Sequence, residues 1–349
     1  MTSVSIDGRA IGPDHPPYII CELSGNHNGS LGRMLALIEA AAKTGCDAIK
    51  VQTYTPDTMT IASDRPEFMI EGGLWDGSNL YDLYADAHTP YEWHEAMFAK
   101  AKELGVTMFS SPFDRTAVDL LESLDAPAYK IASFEIVDLP LIDYVARRGK
   151  PMIISTGLAN LSEIETAVRT AREAGNDQII LLHCISSYPA PSDDANLRTM
   201  PHLGQTFDCV TGLSDHTHGT AVSVAAVALG ASVIEKHFTL ARAHGGPDSA
   251  FSLEPEEFTR LCDECATAFK ALGTVGYHLK GSESGNIKFR RSLYAVKDIA
   301  AGEELTDGNI RAIRPGFGLA PKHYDELIGR KANRKISRGE GLSWDALQP

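Results

Sequence analysis

Eight short β-forming runs recur along the first 240 residues, and helical patterns separate most of them. The runs are Tyr18–Ser24, Ala48–Tyr54, Thr107–Phe113, Ala128–Ser133, Pro151–Thr156, Ile179–Ile185, Val210–His216 and Val233–Thr239. After the first run, Leu31, Met34, Leu35, Ile38, Ala41 and Ala42 repeat at helical spacing, with Ser30 placed as N-cap and Gly45 as stop. Thr89-Pro90-Tyr91-Glu92 reads as a capping box opening a helix to Gly105, and Asn160 with Glu163 as another before Gly175. A last helix spans Glu256 to Leu272. Strands that alternate with helices in this way call for a parallel sheet, and eight of them predict a (β/α)₈ TIM barrel. A doubly wound open sheet is the alternative.

Two segments depart from the repeat. Residues 55–88 are too long for an ordinary βα loop and carry Trp75, Asn79, Tyr81 and Tyr84; long ordered insertions are usually functional. Gly281 to Phe289 reads as a linker, so the domains are expected at 1–280 and 290–349. The second domain should hold strands near Ser292–Ile299 and Ile310–Arg314, a turn at Gly302 and a short helix at Tyr324–Ile328.

A net charge of −14 argues against nucleic acid as a partner. No stretch approaches the roughly 18–20 apolar residues of a membrane span, and MTSVSIDGRAIGPDH lacks the layout of a secretory signal, so a cytoplasmic protein is expected. The six cysteines sit mostly in apolar runs and read as reduced core thiols; Cys262 and Cys265 have no second pair to complete a zinc site. Residues 281–349 carry 12 Lys/Arg against 9 Asp/Glu, while the rest of the chain is at −17. Complementary packing and incidental variation both explain that asymmetry.

The candidate chemistry lies at the strand ends. Glu22, Asn26 and His27 close the first strand, Lys50 and Gln52 the second, Ser110 and Ser111 the third. Lys130 and Ser133 follow, then Ser155 and Thr156, then His183, Ser186 and Tyr188, and finally His216 and His237. Parallel α/β folds keep their sites on that rim. Two histidines 21 positions apart, each ending a strand, suggest a metal with open coordination positions. Two lysines among hydroxyls suit a multiply charged anion, and no P-loop is present to hold one elsewhere. Lys130 could instead form a Schiff base, which keeps an aldolase reading open. A non-catalytic carbohydrate-binding protein would explain only the tail.

Taken together, these segments resemble the sialic acid synthase family. The resemblance is carried by Glu22…Asn26-His27, Lys50-Val-Gln52, Ser111-Pro112-Phe113, Tyr129-Lys130-Ile-Ala-Ser133, Ser155-Thr-Gly157 and His183-Cys184…Tyr188-Pro189. Ser214-Asp215-His216 and Glu235-Lys236-His237-Phe238-Thr239 complete it. The tail, with Arg291-Ser-Leu and Arg314-Pro315-Gly316, resembles the family's antifreeze-like (SAF) domain. Within the family, Leu74-Trp75-Asp76-Gly77, Leu80 to Tyr84, and Gly246 to Pro255 look most like the pseudaminic acid branch. Ser186 stands where N-acetylneuraminate synthases usually have asparagine; those and the legionaminate synthases are the alternatives.

The resemblance implies condensation of phosphoenolpyruvate with an open-chain acylamino sugar, giving a nine-carbon 2-keto acid and phosphate by C–O cleavage. The sugar implied is 2,4-diacetamido-2,4,6-trideoxy-L-altrose. It assigns Lys50, Lys130, Ser111, Ser133 and Ser155 to phosphoenolpyruvate, and Tyr188 and Asp248 to the sugar. Gln52, Ser186 and Asn79, with Trp75 and Tyr81, are further substrate candidates. His216 and His237 would hold Mn²⁺ or Mg²⁺ to polarise the aldehyde, since two protein nitrogens leave a mostly oxygen shell. Glu22 would guide water or sugar protons. Arg314 resembles an arginine that reaches into the partner's barrel, implying a domain-swapped homodimer. His218 and His244 are read as solvated loop residues.

Overall fold

A computed structural model describes residues 3–348. It consists of two compact units, residues 1–273 and 274–349. The first begins with an antiparallel hairpin, β1 (Val4–Ile6) and β2 (Arg9–Ile11), which the strand count missed. Its turn is Asp7-Gly8 with φ of 49° and 79°, the left-handed pair that a two-residue hairpin loop requires and Asp-Gly accepts.

Eight parallel strands follow: β3 (Tyr18–Glu22), β4 (Ala48–Thr53), β5 (Thr107–Pro112), β6 (Tyr129–Ile131), β7 (Met152–Ser155), β8 (Ile179–Cys184), β9 (Val210–Asp215) and β10 (Val233–His237). They close into a barrel, with β10 pairing β3, which excludes the open sheet. Along each strand alternate residues face opposite ways. Tyr18, Ile20, Ala48, Phe109, Ala128, Ile153, Ile180, Leu182, Val210 and Val233 pack together in the barrel interior, and Val4, Ile6 and Ile11 of the hairpin pack against them. The other parity, Ile19, Cys21, Ile49, Val51, Met108, Leu213 and Ile234, packs under the helices. The inward column turns from apolar at the amino end to charged at the carboxyl end, and that switch builds the site.

The helix signals mostly hold. Ser30 caps Leu31–Ala42, and Asn160 with Glu163 forms the expected box before Leu161–Glu173. The box at Thr89 does not form. The chain instead makes a 3₁₀ turn at Tyr91–Trp93 before the α-helix His94–Leu104, and the Thr89 hydroxyl lies 3.4 Å from His27 Nε2. All six cysteines are free. No helix among the described residues is long and apolar enough to cross a membrane.

The second unit begins at Thr274, ahead of the expected boundary, and the expected linker is a 3₁₀ segment, Gly281–Phe289. Strands β11 (Ser292–Ala295) and β12 (Ile310–Ile313) pair antiparallel, and Leu293, Ile299, Leu305, Ile310, Leu327, Ile336 and Leu342 form its own core. The turn at Gly302 (φ 80°) and the helix Tyr324–Leu327 lie where the sequence places them.

Candidate active site

Four charged side chains meet inside the carboxyl mouth of the barrel. Lys50 Nζ lies 3.0 Å from Glu22 Oε2 and 3.3 Å from Glu235 Oε1. Lys130 Nζ donates to both oxygens of Glu235, at 2.8 and 2.9 Å. Lys130 on β6 and Glu235 on β10 are four strands apart in the barrel order, so they touch only across its interior. All four are buried.

Burial and charge divide the roles. Burial alone would lower the Lys50 pKa, yet Glu22 and Glu235 outweigh it and raise that pKa, keeping the ammonium charged. Burial alone would raise Glu235; Lys130 and Lys50 overcome it and hold it ionised. Burial does raise Glu22, against the opposing pull of Lys50. Lys130 is lowered by burial, with Lys50 adding to that and Glu235 opposing it. With one carboxylate firmly ionised and the other pushed towards its neutral form, the mouth leans positive. Of its three donors Lys130 uses two on Glu235, leaving one for a ligand.

Hydroxyls surround the quartet. Ser111 Oγ lies 3.5 Å from Lys50 Nζ. Ser133 Oγ accepts the Gly157 N–H at 3.2 Å, and a Cβ at Gly157 would collide with Ser133 Oγ and Ser186 Oγ, so that approach needs glycine. Ser155 Oγ is buried with no hydrogen-bond partner. Gln52 Nε2 donates to Glu22 Oε1 at 3.0 Å.

The two histidines stand beside this cluster, ring centroids 5.3 Å apart. His216 Nδ1 lies 2.9 Å from the Ile185 carbonyl, a partner that can only accept, so Nδ1 carries a proton and Nε2 is the nitrogen left to face a ligand. Burial lowers the His216 pKa, but the neighbouring Cys184 thiol outweighs it and raises that pKa. His237 Nδ1 is buried without a hydrogen bond, 3.6 Å from Asp248 Oδ2. Burial, with the neighbouring His216, pushes the His237 pKa well down, so this imidazole is neutral. The Tyr188 ring lies 4.4 Å from His216 and 5.5 Å from Phe251, with Trp75 5.9 Å away. Trp75 Nε1 donates to the Pro247 carbonyl at 3.2 Å, fastening the 55–88 insertion to the loop that carries Asp248.

Comparisons with known proteins give the family to which this barrel and tail belong. The NeuB family pattern matches residues 37–277 and the SAF domain pattern residues 290–348. The chain belongs to the NeuB family. A pseudaminic acid synthase of Helicobacter pylori is 45% identical over 334 residues, covering 95% of this chain and 98% of that protein. An N,N'-diacetyllegionaminic acid synthase of Campylobacter jejuni is 38% identical, covering 92% of this chain and 97% of its own. The crystal structure of N-acetylneuraminic acid synthetase from Leptospira borgpetersenii in complex with citrate superposes with a TM-score of 0.73 at 31% identity, over 83% of this chain and 96% of that one.

Of the residues expected at the site, the barrel mouth brings together Glu22, Lys50, Gln52, Ser111, Lys130, Ser133, Ser155, Ser186, Tyr188, His216, His237 and Asp248. Asn79 plays a local part instead: its side chain caps the helix Leu80–Ala87 and donates to the Ser63 carbonyl at 2.8 Å. Tyr81 pairs with Asp57 and His183 with the Ala195 carbonyl. Arg314 belongs to the second unit, where it is exposed.

Three residues escaped the strand-end reading. Glu235 is the hub of the quartet, and its signal was parity: two positions before His237 on one strand, it must share that residue's face. Phe251 packs 4.9 Å from His237 from a short 3₁₀ turn that has no periodicity. Glu135, in the 3₁₀ turn after β6, has a buried Oε2 with no partner, and burial lifts its pKa to about 7.

The donor set fits a divalent ion. Among the described residues no three His, Cys, Asp or Glu side chains are grouped so as to hold a metal by themselves. Two imidazoles, one pinned through Nδ1 and one with an unpartnered buried nitrogen, are what an ion finished by water and substrate oxygens asks of the protein.

Proposed function

We propose that the protein is a pseudaminic acid synthase, condensing phosphoenolpyruvate with 2,4-diacetamido-2,4,6-trideoxy-L-altrose. The observation that carries this is the lysine–glutamate quartet beside His216 and His237, in a chain 45% identical to a pseudaminic acid synthase almost end to end. Lys50 and Lys130 neutralise the phosphate and carboxylate of phosphoenolpyruvate. Ser111, Ser133 and Ser155 donate to its oxygens, and Ser155, having no protein partner, supports that role most directly. Tyr188, Gln52 and Asp248 hold the sugar, with Trp75 and Phe251 walling the aromatic side.

The enol carbon C3 attacks the sugar aldehyde. Mn²⁺ or Mg²⁺ on His216 and His237 would polarise that aldehyde. Water then adds at the cationic C2, and the tetrahedral intermediate collapses with C–O cleavage to release phosphate. Glu22 remains a candidate for guiding protons. Its carboxylate already receives Gln52 and Lys50, however, whereas Glu135 has a free, buried oxygen and a pKa near neutrality, so we assign the proton step to Glu135. A Schiff base on Lys130 is disfavoured by its bidentate pairing with Glu235.

The reading includes a cytoplasmic homodimer whose tails supply Arg314 to the neighbouring barrels. Its support is a net-positive tail with Phe317 76% exposed, and a barrel rim on which Phe134 and Leu158 are 59% and 72% exposed. The test is phosphate release with the diacetamido trideoxy sugar against N-acetylmannosamine. The first should be turned over far faster, in a chelator-sensitive reaction. Preference for N-acetylmannosamine would overturn the sugar assignment, and full activity after exhaustive chelation would remove the metal.

A further inference from the structure

Directly behind the two histidines, on the outward parity of the same strands, lies a second buried charge network that the proposed chemistry does not use. Lys236 Nζ donates to Asp215 Oδ2 at 2.8 Å, and both side chains are 1% exposed. Asp215 Oδ2 also accepts the Ser223 hydroxyl at 2.5 Å. Its Oδ1 accepts the Thr217 N–H at 2.9 Å and the Thr217 hydroxyl at 2.7 Å. Lys236 Nζ reaches on to the Thr217 carbonyl at 2.7 Å.

The placement is specific. Asp215 and Lys236 are register partners on β9 and β10, and each immediately precedes one of the histidines. His216 is bracketed between Asp215 and Thr217, which are bonded to each other. Lys236, bonded to both ends of that bracket, adjoins His237. The network therefore ties the backbone at one imidazole to the backbone at the other. Stability gives no reason for burying two charges there, because replacing such a pair with apolar residues of similar volume is often neutral or stabilising. Gly212, further back on β9, sits so close to Val233 that a Cβ would strike the Val233 carbonyl, so the two strands are already locked below. What the pair adds is rigidity at the strand ends, where parallel pairing stops.

We propose that Asp215, Lys236 and Thr217 form a brace that fixes the mutual geometry of His216 and His237, making them positioning residues for the divalent ion. This rests on the metal assignment above. As second-shell partners commonly change metal affinity ten- to a hundredfold, loss of the brace should weaken Mn²⁺ by about that factor without unfolding the barrel.

The test uses the full-length protein and two variants, D215L/K236M and the near-isosteric Thr217→Val. Mn²⁺ binding is followed by the paramagnetic resonance of the free ion, thermal unfolding by circular dichroism, and the two rings by ¹⁵N-histidine spectra. The double variant should melt near the wild type, bind Mn²⁺ about ten- to a hundredfold more weakly, and show broadened or doubled signals for both rings. Thr217→Val, losing one hydrogen bond, should weaken Mn²⁺ by about fivefold; it decides the matter if the double variant does not fold. Wild-type affinity together with unchanged ring signals would overturn the brace. A wild type that binds no Mn²⁺ would sink the metal assignment instead, and the ring spectra would still decide whether the network orders the histidines.

Discussion

Two buried charge networks occupy neighbouring residues of the same strands, and they are opposites. The outward one, Asp215 with Lys236, is closed: Lys236, Ser223 and Thr217 between them bond both carboxylate oxygens. The inward one is open. Ser155 Oγ, His237 Nδ1 and Glu135 Oε2 are all buried without a hydrogen bond. Leaving such groups unmatched costs about 1–3 kcal/mol each, and folded proteins rarely tolerate several together unless a ligand completes them. Satisfaction, rather than charge or burial, separates the scaffold from the site.

Breaking one partner in each network gives the largest effect. Glu235→Gln leaves Lys130 and Lys50 short of their shared counter-charge, and Lys236→Met leaves Asp215 a buried carboxylate without a cation. Both should lose about 3–5 kcal/mol of unfolding free energy, measured by denaturant. Their kinetics should part. Glu235→Gln should lower kcat/KM by more than about a hundredfold through misplaced lysines, whereas Lys236→Met should leave the KM for phosphoenolpyruvate little moved. Equal losses of phosphoenolpyruvate affinity would erase the functional difference between the networks.

A smaller effect separates them by pH. Burial raises Glu135 from 4.5 to about 7, so the folded state holds its proton more tightly than the unfolded state. The stability this contributes is complete below pH 4.5 and is lost as pH rises to about 7, a change of about 3 kcal/mol. Glu135→Gln should flatten that part of the stability–pH profile and, if this carboxyl carries the proton step, lower kcat by about a hundredfold or more. Asp215, drawn down by Lys236 and its hydroxyl donors against the opposing effect of burial, has the opposite sign: its contribution is present above the ordinary aspartate range and lost in acid. An unchanged profile in Glu135→Gln would mean that this carboxyl does not titrate near neutrality.

The architecture was legible because its signals are local. Each of the eight runs contains a barrel strand, with ends shifted by no more than a few residues, since apolar run, cap and glycine stop are all written within a few positions. The hairpin was legible too, in Asp7-Gly8, though a count of barrel strands passes over it. The inward or outward facing of each rim residue was there in period two but needed an anchor. Once Phe109 is known to lie inside, Ser111 follows it and Ser110 turns out towards Thr53. Glu135 and Phe251 were out of reach, because non-repetitive turns after β6 and β10 place them, and only the closed barrel carries those turns over the mouth. Asn79 misled for the same reason in reverse: an asparagine in a functional-looking insertion, whose amide is taken up by capping a helix.

The finest test of the comparison is a matched pair of serine-to-alanine changes, identical in chemistry and opposite in expected result. Ser223 and Ser155 are both buried. The Ser223 hydroxyl donates to Asp215 Oδ2 inside the closed network, so its removal deletes a bond to a charged group. Ser223→Ala should lose about 1.5–3 kcal/mol of stability with the KM for phosphoenolpyruvate little moved. The Ser155 hydroxyl has no partner in the protein, so its removal deletes nothing there and relieves an unmet polar group. Ser155→Ala should be as stable as the wild type or slightly more so. It should also raise the KM for phosphoenolpyruvate by about tenfold, the equivalent of one charge-assisted hydrogen bond to a phosphate oxygen. Denaturant unfolding and phosphate-release kinetics on the two variants give four numbers, and the idea predicts a crossed pattern among them. If Ser155→Ala loses stability and leaves KM alone, its hydroxyl belongs to the scaffold, and an unpartnered buried group on this rim is no guide to where the substrate binds.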